Sequence, residues 1–219
     1  MPLAAPPAVP EGRLTTSDIL RYAVPATVSW ALSALGGHVA PHPPPTPTEL
    51  PSGWVRAGSP PQDYTVGVDH KIAHTGHASG FVRSARSRPQ GDGALMQVLD
   101  AGEHRGRRVR LAAWVRTRKV HGWAGVWMRV DGGERGQVLA FDDMSSRPIT
   151  GTSEWTRVDV VLDVAPEAAT IAFGLLLEGS GRAWIDDLAL EDVDASVPVT
   201  GGPPPPPVRA SPDHLGFER

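Results

Sequence analysis

The chain contains no cysteine, which excludes a disulfide framework and thiolate metal sites. It lacks any uninterrupted apolar run of about 18 residues, the length a membrane-spanning helix needs. The best stretch, residues 22–37, is short and holds Pro25. The start, Met1-Pro-Leu-Ala-Ala-Pro-Pro7, has neither the basic opening nor the apolar core of a secretory signal. A cytoplasmic location with no membrane partner is the expectation. An excess of positive charge is missing too. The formal net charge is -3, which argues against a nucleic-acid surface built on overall basicity. The two basic runs, 83–88 and 104–110, have no interleaved aromatics, so they read as solvated loop edges and nucleic acid is not an expected partner. Nucleophile elbow, phosphate loop, zinc-binding helix and dinucleotide fingerprint are all absent.

What is present divides by composition. Residues 1–13 are rich in Pro and Ala and are expected to be disordered. Thr16 or Ser17 can cap an amphipathic helix over 14–37, ended by Gly36-Gly37. Residues 38–52 form a Pro-rich linker, and residues 194–210 form another. Between them, residues 53–193 read as about ten short strands separated by turns such as Asp92-Gly93, Asp131-Gly-Gly133 and Gly179-Ser-Gly181. Such spacing with no helical period predicts an all-β sandwich or barrel. The tail 211–219 is not low in complexity, and His214-Leu-Gly-Phe-Glu218 reads as a strand.

Alternation in the middle of the chain picks out a candidate face. Leu111, Ala113 and Val115 share one side of a strand, with Trp114 and Arg116 on the other. The next run repeats this: Ala124, Val126, Met128 and Val130 oppose Trp127 and Arg129. Two Trp-x-Arg ladders on the side away from the core predict a concave sheet face, with Gln97 on a neighbouring strand and Asp142, Asp143 and Met144 at its rim. Indoles stack on flat apolar surfaces and guanidiniums fork onto carboxylate or phosphate. A small molecule or glycan is the expected ligand. The alternative is a cofactor-free cyclase or isomerase of specialised metabolism in the same pocket, with Asp142, Asp143, Glu178 and His121 as candidate acids and bases.

Several phrases carry a resemblance. Ala73-His-Thr-Gly-His-Ala-Ser79 and Arg182-Ala-Trp-Ile-Asp-Asp-Leu-Ala-Leu190 resemble an early turn and the final strand of galactose-binding-like jelly rolls, the fold of many carbohydrate-binding modules. Gly58-Ser-Pro-Pro-Gln-Asp-Tyr64, Gly122-Trp-Ala-Gly-Val-Trp-Met-Arg-Val-Asp131 and Leu139-Ala-Phe-Asp-Asp-Met144 resemble a bacterial family loosely labelled transcriptional regulators, although the chain has no helix-turn-helix. The resemblance implies a jelly-roll β-sandwich over residues 53–193. It implies a structural Ca²⁺ held by Glu218 with Asp186 or Asp187, its shell completed by backbone carbonyls. The opening strand of such folds is missing before Gly53, and Leu215-Gly-Phe-Glu218 stands at the far end instead. The tail is therefore expected to complete a sheet edge, in its own chain or exchanged between two copies as a homodimer.

Overall fold

A computed structural model describes residues 50–202, apart from Arg135 and Gly136. The expected helix over 14–37, most of the first linker and the strand over 211–219 with Glu218 lie outside the described residues. Within them the chain is all β apart from two single 3₁₀ turns, at Pro61–Asp63 and Gly102–His104. The strands are β1 (Trp54–Ser59), β2 (Tyr64–Asp69), β3 (Ser79–Ser84), β4 (Asp92–Asp100), β5 (Arg108–Gly132), β6 (Val138–Asp142), β7 (Ile149–Asp163), β8 (Ala168–Glu178) and β9 (Arg182–Val193).

All pairings are antiparallel, and two five-membered layers share β5. The first sheet runs β1-β4-β8-β5-β6 and uses the second half of β5, with Val126 opposite Leu175 and Val130 opposite Ile171. The second runs β2-β3-β9-β5-β7 and uses the first half, with Leu111 opposite Val160 and Leu190. The inner rows of both sheets meet in one core that includes Val66, Val82, Leu111, Val115, Met128, Leu162, Ile171, Leu175 and Ile185, each at most 1% exposed. Directly opposed apolar pairs of this kind stabilise a sheet by roughly 0.2–1 kcal/mol each. They also fix register, because a slip of one residue would turn every one of them outward.

The expectation that Leu111 to Arg116 and Ala124 to Val130 lie on two separate strands needs correction: they are halves of one 25-residue strand. The polar stretch between them bends, with Lys119 at φ 52°, but does not break the ladder. Arg118 still pairs with Arg182, and Val120 with Gly151. The β8–β9 turn presses against this bend, and His121 N donates to Ser180 O at 2.8 Å. Contact this close requires glycine. A Cβ on Gly181, whose φ is +136°, would lie 2.6 Å from the Lys119 carbonyl, and one on Gly122 would lie 2.2 Å from that of Glu178.

Candidate functional site

The bend in β5 has a direct consequence for the expected site. Trp114 and Arg116 project from the outer side of the second sheet, whereas Trp127 and Arg129 project from the outer side of the first, on the opposite surface of the sandwich. The single face expected to carry all four is therefore two faces. Trp127 is 5% exposed and packs in a layer with Ala57, Ala94, Met96, Ala172 and Leu176; its indole N–H has no hydrogen-bond partner among the described residues. Arg129 is 6% exposed and its Nε donates to Asp131 at 3.0 Å. Burial pushes the Asp131 carboxyl up, against the pull of that guanidinium.

The other expected rim residues go elsewhere. Gln97 alternates with Met96 and pairs with Trp54 and Phe173, so it shares their inner side of the first sheet rather than the side of Trp127. Met144 is a core residue in a left-handed turn (φ 64°), and its sulfur accepts from Val126 N at 3.3 Å. Asp142 is buried in a fork with Arg147 at 2.7 and 3.1 Å and also accepts from Met144 N. Asp143 accepts from Ser145 N within the same turn. Glu178 accepts from the Trp123 indole at 3.0 Å, and the His121 side chain is exposed. The four candidate acids and bases thus do not converge on one cavity.

Trp114 is not a bare platform either. The His74 ring lies on it with centroids 4.0 Å apart and planes 16° off parallel, and Trp155 meets the same imidazole edge-on. His74 Nδ1 is 2.6 Å from Asp187 Oδ2, and Thr75 Oγ1 donates to Oδ1 of the same carboxylate. Those two bonds hold the Asp187 carboxyl below its ordinary value. Asp186 accepts from the backbone N–H groups of His74, Thr75 and Asp187. All four oxygens of the expected calcium ligands Asp186 and Asp187 therefore already accept hydrogen bonds. Among the described residues, no group of three or more His, Asp or Glu side chains is placed to hold a metal ion.

Beside this lock, the outer surface of the second sheet opens into a cleft of about 770 Å³. One wall is the end of β2 and the loop after it, 68–72; the other is the bend of β5, 116–119, with Thr152 of β7. Arg182 and Trp184 of β9 line it as well. The Arg182 guanidinium lies 4.2 Å from the Phe81 ring centroid and 4.6 Å from that of Trp184, a doubly stacked cation. Asp69 Oδ2 accepts from Arg182 Nη2 at 2.8 Å and from the Trp184 indole at 2.9 Å, and Oδ1 accepts from Lys71 N. Burial alone would raise the Asp69 carboxyl, but these bonds and the Arg182 charge hold it below its usual range. Burial pushes the Arg182 pKa down; Asp69 opposes that, and the charges of Arg83 and Arg118 add to it.

The register explains those two neighbours. Arg83, Arg182 and Arg118 stand directly opposite one another across β3, β9 and β5. Like charges so placed repel, by roughly 0.2–1 kcal/mol per pair at most in this exposed setting. Of the residues expected at the site, only Arg116 lines this cleft; Lys71, Arg118, Lys119, Arg182 and Trp184 were not anticipated. The alternations Arg116-Thr-Arg118 and Arg182-Ala-Trp184 held the signal, but it becomes a site only once the two strands are known to pair.

No family model matches the chain. A curated relative, the "Uncharacterized HTH-type transcriptional regulator YbfP" of Bacillus subtilis (strain 168), is 41% identical over 167 residues, covering 76% of this chain and 56% of the relative. The chain thus spans little more than half the length of that relative. Among solved structures, the bacteriophage CBA120 tailspike protein 4 enzymatically active domain aligns over 65% of this chain and 20% of its own, at TM-score 0.51 and 14% identity. The fold is a jelly-roll β-sandwich. The CBM22-1 xylan-binding domain of Paenibacillus barcinonensis Xyn10C aligns over 68% of this chain and 91% of its own, at TM-score 0.47 and 15% identity. Among the described residues no helix is long and apolar enough to cross a membrane.

Proposed function

We propose that the chain is a binding module that takes a small molecule or glycan in the cleft on the outer side of the second sheet. The observation that carries this reading is the cleft itself, about 770 Å³ lined by three guanidiniums, an indole and several other hydrogen-bond donors. Volumes of several hundred Å³ with a few fixed polar groups are what small-ligand sites need. Asp69 holds Arg182 and Trp184 in place before any ligand arrives, so little ordering cost is left for binding. Sugar hydroxyls accept hydrogen bonds from arginine and lysine side chains, here those of Arg116 and Lys71.

The test is calorimetric titration with neutral xylohexaose and with an acidic oligogalacturonate, on the wild type, Arg116→Ala and Val98→Thr. Val98 is an exposed residue of the first sheet, far from the cleft. Saturable binding of either saccharide that weakens about tenfold in Arg116→Ala and persists in Val98→Thr is the expected result. Saccharide binding untouched by Arg116→Ala would refute the cleft.

A further inference from the structure

We infer that the ligand of this cleft is a polyanion, specifically a saccharide chain bearing carboxylate or sulfate groups, an inference that rests on the cleft being the binding site. The cleft is lined by five cationic side chains, Lys71, Arg116, Arg118, Lys119 and Arg182, against one carboxylate, Asp69. The whole chain carries a net charge of -3, so this concentration is local and runs against the overall balance. Asp69 is already committed to Arg182 and the Trp184 indole. Arg116 has only Glu154, at 3.2 Å and 79% exposed, a pair that screening leaves weak. Among the described residues, Lys71, Arg118, Lys119 and Arg83 form no ion pair, and Arg83 extends the row beyond the cleft.

Folding has therefore aligned three guanidiniums across neighbouring strands with one carboxylate, Asp69 on Arg182, among them; Arg83 and Arg118 have no counter-ion among the described residues. Charges on adjacent strands are about 5 Å apart, so the row spans about 10 Å across the strands. A single anion would neutralise one site, whereas a chain with repeated charges crosses the whole row and relieves each repulsion in turn. A saccharide is favoured over a nucleic acid because base stacking needs open aromatic faces. Phe81 and Trp184 are nearly buried, and Arg182 lies over both rings.

The experiment uses the full chain, wild type and Arg118→Glu, titrated with oligogalacturonate, a sulfated heparin-type oligosaccharide, xylohexaose and a short oligothymidylate, with thermal melting alongside. One of the two acidic saccharides should bind at least about tenfold tighter than xylohexaose, and its affinity should fall with added salt; which of the two wins separates carboxylate from sulfate recognition. Arg118→Glu should abolish that binding yet leave the melting temperature of the free protein unchanged or higher, since it replaces a repelling neighbour of Arg182 with an attracting one. A merely structural arginine would lose stability instead. Xylohexaose binding as tight as either acidic saccharide would overturn the polyanion while leaving the cleft standing. Oligothymidylate binding tighter than either acidic saccharide would overturn the saccharide. Silence from all four probes would remove the cleft as well.

Discussion

His74 and Trp114 stack face to face, 4.0 Å between centroids, across a loop and a sheet that are 40 residues apart in sequence. The same imidazole reaches Asp187 at 2.6 Å. One side chain thus ties the loop after β2, which walls the cleft, to both β5 and β9. His74→Ala should change the indole fluorescence, lower the melting temperature by a few degrees, and speed proteolysis between residues 70 and 77. Unchanged emission and cleavage would show that the stack does not anchor the loop.

Asp187 adds a pH dependence to that anchor. Its carboxyl is held low by the His74 and Thr75 hydrogen bonds, so the contribution to stability is present above the unfolded value near pH 4 and is lost as pH falls through the folded one. Asp187→Asn should therefore flatten the acid limb of a melting-temperature profile. The acid limbs of wild type and variant, recorded from pH 5 to 2, are the check.

Tyr64 should govern the alkaline limb. Its hydroxyl donates to Gly91 O at 2.6 Å and accepts from Gly179 N at 3.0 Å, and burial pushes it up from 10.0 to about 12. A raised value means stability that is complete below pH 10 and drains away as pH rises towards 12. Tyr64→Phe leaves Gly91 and Gly179 unpartnered by this hydroxyl, should cost about 1–3 kcal/mol at pH 7, and should weaken the loss between pH 10 and 12. Denaturant melts at the three pH values measure both effects.

Asp92 faces Glu178 directly across β4 and β8, and its Oδ2 is buried without a hydrogen-bond partner among the described residues. Burial, then repulsion from Glu178, raises it to about 6. This group's stabilising contribution is present below its unfolded value and lost as pH rises through 6. Asp92→Asn should raise the melting temperature at pH 7 by roughly 3 °C and do nothing at pH 4. A loss at pH 7 would assign the carboxylate a partner of its own.

Asp142 distinguishes structure from chemistry among the acidic residues. It forks with Arg147 and receives Met144 N, so Asp142→Asn should cost about 2 kcal/mol of stability while leaving saccharide binding in the cleft unchanged. Calorimetry at a temperature where the variant stays folded separates the two.

Much of the fold was legible from period-two alternation. Val126, Met128 and Val130 take the inward side expected of them, facing Leu175, Phe173 and Ile171. The site was less legible, because alternation says which side of its own strand a residue takes but not which sheet the strand joins. Residues 117–122 interrupt the alternation with Arg118-Lys119 and His121-Gly122; the ladder to β9 and β7 carries the strand through them. That single continuity sends Trp127 to the opposite surface from Trp114. Arg182 and Arg118 come from positions 64 residues apart, and only cross-strand register makes them neighbours.

Since β5 belongs to both layers, a cut between Lys119 and Val120 distributes the strands unusually. The fragment before it would carry β1 to β4 and the one after it β6 to β9, with half of β5 each, so both layers would be built from alternating contributions of the two pieces. Neither piece contains a complete layer, and the ladders β4–β8, β3–β9 and β5–β7 each join strands of different pieces. The cleft straddles that seam, with residues 68–72 and 116–119 on one side of it and Thr152, Arg182 and Trp184 on the other.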